Sequence, residues 1–203
     1  KRGLYGCYPG CPPLVGLDRR PRPDQVRDCS AFNEAFMARL LSEPGIEHVV
    51  MVSAWHWSID GAGGLFRNAS RAASSNAENP ELFSESLAGA VRALARSGKK
   101  VIVVLQAPAS QYDIPRAVKL QELGILRSVD ISPRPLETAQ LTAIFEEIGQ
   151  IENVSIFDPS SALCHAGQCP HFGDGKLLYT DGNHLSRDGS RMLGPTLAAT
   201  IWR

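Results

Sequence analysis

The sequence predicts a three-layer α/β/α sandwich built on a mainly parallel sheet. Two observations carry this. Helical and extended segments alternate along the chain, and the extended segments are short apolar runs without polar alternation, as in strands covered on both faces. Such alternation implies right-handed crossovers, which place helices on both sides of one sheet. No internal repeat or linker interrupts the 203 residues, so a single domain over 1–203 is expected.

The elements follow in order. Ser30 to Leu41 has Phe32, Phe36, Met37, Leu40 and Leu41 on the inner side of an amphipathic helix, which Pro44-Gly45 ends. Ile46 to Ser53 is a nearly continuous apolar strand. Ile59 to Pro80, rich in Gly, Ala, Ser and Asn, reads as a long loop and a candidate substrate-side lid. Leu82 to Ser97 is the clearest helix, with Leu87, Val91, Leu94 and Ala95 on one stripe and Gly98 just past its end. Val101 to Leu105 is a buried strand, and Pro108 to Pro135, with prolines at 108, 115, 133 and 135, is irregular. Leu136 to Ile151 is another amphipathic helix, and Val154 to Phe157 is the last strand. The final helix is capped by Ser186, carries Asp188 in its first turn and continues through Met192, Leu193, Leu197 and Ile201.

Composition excludes several classes of function. A chain that is 43% hydrophobic and 21% charged is an ordinary ordered globular sequence. Lys plus Arg equals Asp plus Glu at 21 each, so no bulk charge draws the chain to nucleic acid or to an anionic membrane, and no nucleic-acid partner is expected. No run approaches the eighteen or so apolar residues of a membrane span, and Lys1-Arg2-Gly3 does not open a signal peptide, so a soluble chain is expected.

Five cysteines bear on the compartment. Cys11 and Cys29 flank a Pro- and Arg-rich excursion with little capacity for regular structure, and Cys164 and Cys169 enclose a short Gly-containing loop. Both read as stapled loops of an oxidising compartment. Closing the longer one would constrain the unfolded chain by roughly 3 kcal/mol. The rival is zinc held by these cysteines with Cys7, His165 and His171. Cys7 and Cys11 have a permitted ligand spacing, but no second pair mirrors it, so no metal and no cofactor is expected. Cys7 is left over.

The most informative stretch is Leu178-Tyr179-Thr180-Asp181-Gly182-Asn183-His184-Leu185-Ser186, with a carboxylate three residues before an imidazole at a helix entrance. An aspartate that accepts from one ring nitrogen fixes the tautomer and leaves the other nitrogen free to deprotonate a hydroxyl. Spacing alone is weak, since chance would give Asp-x-x-His in roughly one sequence in four of this composition. The alternative is a histidine that merely packs near the helix. No serine here sits in a Gly-Asp-Ser or Gly-x-Ser-x-Gly turn, so the base lacks an obvious nucleophile.

Phe157-Asp158-Pro159, Leu163-Cys164, Cys169, Gly175, Leu178-Tyr179, Asp181, His184-Leu185-Ser186 and Gly189 together resemble the last block of SGNH-type (GDSL-like) hydrolase domains. They look most like the variety fused behind acyltransferase-3 membrane domains, which O-acylate bacterial surface polysaccharides. Cys11-Pro12-Pro13-Leu14 with Cys29-Ser30-Ala31-Phe32-Asn33 resembles the early cysteine-bearing segment of that subfamily, and Val49 to Trp55 its third strand. The resemblance covers nearly the whole chain and is most specific in the terminal block. It implies a flavodoxin-like sheet whose first strand, ending in the Gly-Asp-Ser nucleophile, lies upstream of Lys1, with Gly3 to Tyr8 as the second strand. Where ordinary members carry an oxyanion-binding asparagine, this chain has Ala54-Trp55-His56-Trp57, a departure shared with the fused branch.

Ligands of open parallel sheets sit beyond the carboxyl ends of strands. Ser53 to Trp57, Gln106-Ala107-Pro108 and the Asp181/His184 loop are therefore expected on one rim. Trp55 and Trp57 are candidate sugar-stacking walls or core residues, and the Gly10 amide is a candidate oxyanion donor. The resemblance implies acyl, expected to be acetyl, transfer or hydrolysis on an extracytoplasmic polysaccharide. His184 would be the base, Asp181 its orienting partner, and the chain would be tethered through a fused membrane domain. The alternative is a non-catalytic module of the same fold that binds glycans or a partner.

Overall fold

In a computed structural model the described residues are 3–22, 25–59, 64–131 and 138–202. They form two compact units, Lys1–Val104 with Thr138–Ile156, and Leu105–Glu137 with Phe157–Arg203.

In the first unit residues 3–8 are exposed and belong to no strand, so the expected second strand is absent there. Pro9-Gly10 then makes a tight turn, with the Cys11 amide donating to the Tyr8 carbonyl at 3.0 Å and Gly10 at φ +76°. Proline before a residue with positive φ is the pattern of a type II turn. The Pro- and Arg-rich excursion expected to be irregular instead forms strands β1 (Asp18–Arg22) and β2 (Gln25–Arg27). They pair antiparallel, and the Cys11–Cys29 disulfide closes the loop. Helix α1 (Cys29–Ser42) buries Asn33 and Leu40 while Leu41 is exposed, so its inner face is narrower than its apolar content implies. The Asn33 amide explains this. It donates to the Pro12 and Leu14 carbonyls at 2.8 and 2.7 Å, so a polar residue holds the place of an apolar one.

Strand β3 (His48–Val52) alternates rather than burying every side chain, with Val49 and Met51 buried and Val52 61% exposed. Among the described residues it is the outer strand of its sheet, covered on one face. The stretch read as a loop and lid contains strand β4 (Leu65–Arg67), which pairs antiparallel with β1. Buried Asn79 staples it, accepting from the Phe66 amide at 2.9 Å and donating to the Gly64 carbonyl at 3.0 Å. Helix α2 (Asn79–Arg96) ends as the sequence anticipates. Gly98, at φ +84°, donates to Ala95, and Lys99 donates to Leu94, the two bonds of a Schellman motif. Strand β5 (Lys100–Val104) is buried on both faces and runs parallel to β3 in register Val50 to Ile102.

Residues 108–131 are not irregular throughout, because helix α3 (Ile114–Glu122) lies in the second unit. Pro115 falls in its first turn, where a missing amide costs nothing, and Asp113 caps it by accepting from the Arg116 amide at 2.9 Å. Helix α4 (Ala139–Gly149) belongs to the first unit and is capped by Thr138. Strand β6 (Val154–Phe157) completes the order β3-β5-β6 of the parallel sheet. The short helix α5 (Ser160–Leu163) leads to a hairpin of β7 (Phe172–Gly173) and β8 (Lys176–Leu177), and helix α6 (Arg187–Ile201) ends the chain. The Cys164–Cys169 disulfide staples the loop after α5. Four sulfurs so bound are not thiolate ligands, and exposed Cys7 is the free cysteine.

The core of the second unit gathers Ile114 and Val118 of α3 with Val129, Ile131, Cys169, Leu178 and Tyr179. That cluster is the base on which the Asp181/His184 loop stands.

Candidate active site

The loop from Leu178 to Ser186 is closed at its stem by backbone bonds. The Ser186 amide donates to the Leu178 carbonyl at 2.8 Å and the Thr180 amide to the His184 carbonyl at 2.9 Å. Ser186 does two further things with one hydroxyl. It caps α6 by accepting from the Gly189 amide at 3.1 Å and donates to the Leu177 carbonyl at 2.8 Å. Gly189 is required because a Cβ there would collide with the Leu178 carbonyl oxygen. Leu178 and Tyr179 plant the stem in the core, so the turn between them and α6 cannot drift far.

Asp181 organises that turn with both oxygens. Its Oδ1 accepts from the amides of Asn183 at 2.9 Å and His184 at 2.8 Å, and its Oδ2 lies 2.7 Å from His184 Nδ1. Burial alone would push the Asp181 carboxyl up. The two amides and His184 outweigh it and hold the carboxyl below its usual range. An ionised carboxylate only accepts, so Nδ1 carries the proton and Nε2 of the neutral ring is the basic nitrogen. The His184 side chain is 71% exposed. The arrangement can take a proton from a hydroxyl and return it to a leaving oxygen.

The turn also rests on the segment after β5. The Ser110 amide donates to the Gly182 carbonyl at 2.8 Å, and a Cβ on Gly182 would come within 2.8 Å of the Tyr112 carbonyl oxygen. Within the second unit, then, the segment that follows Gln106-Ala107-Pro108 reaches the dyad loop. Sequence reasoning missed this strut, though Asp113-Ile114-Pro115 is a helix-start signature that would have ordered it.

Other expected site residues fare differently. Trp55 is fully buried in a 3₁₀ turn (Trp55–Ser58), with its indole nitrogen donating to the Val104 carbonyl at 2.7 Å and its ring edge-on to Phe83 and Phe145. Its ring is therefore a core residue and offers no face to a sugar. The Trp57 side chain lies outside the described residues. Gly10 is exposed, and its carbonyl accepts from Arg19 Nη1 at 2.6 Å. Ser58 is buried and presents no hydroxyl to solvent. Among the described residues no side-chain hydroxyl is hydrogen-bonded to His184 Nε2.

The family model described as "SGNH domain (fused to AT3 domains)" matches residues 1–199. The chain belongs to this family. Its SGNH domain also resembles a solved structure, the lipopolysaccharide acetyltransferase periplasmic domain of Salmonella ser. Paratyphi A, at 15% identity and a TM-score of 0.62. The likeness covers 95% of this chain and 69% of that one, and establishes the common fold. No curated protein matches the chain. The helix-flanked parallel sheet is thus the SGNH-type sandwich that the terminal motif implied, and the two disulfides fit an extracytoplasmic compartment.

Proposed function

We propose that this SGNH domain supplies the acid–base dyad of an acyl transferase or esterase acting on an extracytoplasmic polysaccharide, with acetyl as the acyl group. The observation that carries the proposal is the 2.7 Å contact of Asp181 Oδ2 with His184 Nδ1 on an exposed loop. Family membership and the likeness to a lipopolysaccharide acetyltransferase domain support the substrate class. The family match over 1–199 spans both units, so the reading takes 1–203 as one domain of a longer protein tethered through a membrane acyltransferase part.

In this reading a serine upstream of Lys1 is the nucleophile. His184 Nε2 takes its proton as the serine oxygen attacks the acyl carbonyl, then returns it to the departing oxygen. Asp181 holds the ring and stabilises the imidazolium. Backbone amides, with Gly10 a candidate, stabilise the tetrahedral oxyanion, and Trp57 is a candidate substrate wall. A sugar hydroxyl then accepts the acyl group in transfer, or water does in hydrolysis.

The test is acyl turnover on polysaccharide by the full-length protein. His184→Ala is expected to lower it by on the order of a thousandfold, and residues 1–203 alone should hydrolyse p-nitrophenyl acetate no faster than their own His184→Ala variant. A fragment that beats that control sinks the upstream serine. The second reading is a non-catalytic glycan- or partner-binding module of the same fold, in which the Asp181 contacts with His184 serve to shape the loop. It gains if no Gly-Asp-Ser segment is encoded upstream and glycan binding survives loss of both Asp181 and His184.

A further inference from the structure

The strut against the dyad loop carries more than support. Its backbone is fixed on both sides. On one side the Ser110 amide holds the Gly182 carbonyl, and the Tyr112 amide donates to Ser110 Oγ at 3.2 Å. On the other, Asp113 caps α3, and the next residue, Ile114, is fully buried with Leu178 and Tyr179, the residues that also plant the dyad loop. Between these anchors Tyr112 remains 42% exposed. Exposing an aromatic ring on a held backbone forgoes the hydrophobic gain of burying it.

We infer that Tyr112 is the platform of an acceptor subsite that takes one neutral pyranose ring of the polymer. This rests on the function proposed above. The Tyr112 carbonyl oxygen lies 2.8 Å from where a Cβ on Gly182 would stand, so the backbone that carries the ring borders the turn between Asp181 and His184. A tyrosine face suits the apolar C–H face of a sugar, which leaves the sugar hydroxyls at the ring's edge. Gln111, exposed beside Tyr112, and Asn183, half-buried in the dyad turn, bring amides that both donate and accept, as hydroxyls require. The one charged residue of the strut, Asp113, turns one carboxylate oxygen to the α3 cap and keeps its negative charge. A carboxylate beside the platform disfavours an acidic sugar, so the subsite recognises a neutral one by its ring and hydroxyls.

The test uses the full-length protein carrying His184→Ala, so that bound polymer is not turned over, titrated with the surface polysaccharide of the source organism after alkaline removal of its esters. Adding Tyr112→Ala should weaken binding about tenfold, the scale of one aromatic contact. Tyr112→Phe and Tyr112→Trp should restore it, because the face and not the hydroxyl does the work. In the protein with His184 intact, Tyr112→Ala should raise KM for the polymer more than it lowers kcat. Unchanged binding by Tyr112→Ala, or a Tyr112→Phe as weak as Tyr112→Ala, overturns the platform. If His184→Ala keeps full turnover, the proposed chemistry fails, while the binding series still decides the role of Tyr112.

Discussion

Two segments of this domain are expected on the ligand-binding rim, Ser53 to Trp57 just after a strand and the Asp181/His184 loop just before a helix, and the structure uses them in opposite ways. In the Trp55 turn every capacity of the side chain is spent inward, with the indole N–H on the Val104 carbonyl and the ring edges on α2 and α4 through Phe83 and Phe145. In the Asp181 turn the carboxylate holds the loop's own amides, and the imidazole it orients stands in solvent. An aromatic residue satisfied by its core builds the fold. A polar pair that organises its own loop and leaves one basic nitrogen outside is available for chemistry.

The contrast breaks most readily at Trp55. Trp55→Ala should cost roughly 3–5 kcal/mol, since it empties a fully packed site and strips the Val104 carbonyl of a donor. Urea unfolding measures it, and a loss below about 1 kcal/mol would mean that the ring is not a core element. Next comes Gly189. A methyl group driven against the Leu178 carbonyl should cost about 1–3 kcal/mol and shift α6 relative to the loop stem. An unperturbed Gly189→Ala would show that the stem has slack, and would undercut the view that it fixes the dyad.

What was legible follows the same division between local and distant contacts. The Ser186 cap, the Gly98 terminus of α2, strand β6 and the Asp181–His184 pair each depend on residues a few positions apart, and each was readable. Strand β4 was not, because three residues become a strand only when Asn79 and β1 bind them. The prolines predict an irregular stretch where helix α3 forms, because Pro115 occupies the first turn, where proline does not break a helix. The burial of Trp55 depends on rings from α2 and α4, and the Ser110–Gly182 bond joins segments far apart in sequence, so neither leaves a local pattern.

The smallest effect on stability is expected where the functional claim is strongest. The Asp181–His184 pair is exposed enough that Asp181→Asn should change global stability by no more than about 1 kcal/mol. Its signature lies in pH. Because hydrogen bonds and His184 hold the folded carboxyl below its ordinary value, its stabilising contribution is fully present above the unfolded value of about 3.9 and is lost as pH falls through the folded one. Amide chemical shifts of Asn183 and His184, followed by NMR from pH 6 downward, should therefore titrate with a shared midpoint below about 3.9. In Asp181→Asn that transition should vanish, and the substituted amide, which presents a donor where the carboxylate accepted, should move the neutral ring's proton from Nδ1 to Nε2. A midpoint at or above the ordinary carboxylate value would mean that the carboxylate does not grip its loop in solution. The turn would then no longer differ from any exposed stretch that happens to hold an aspartate and a histidine.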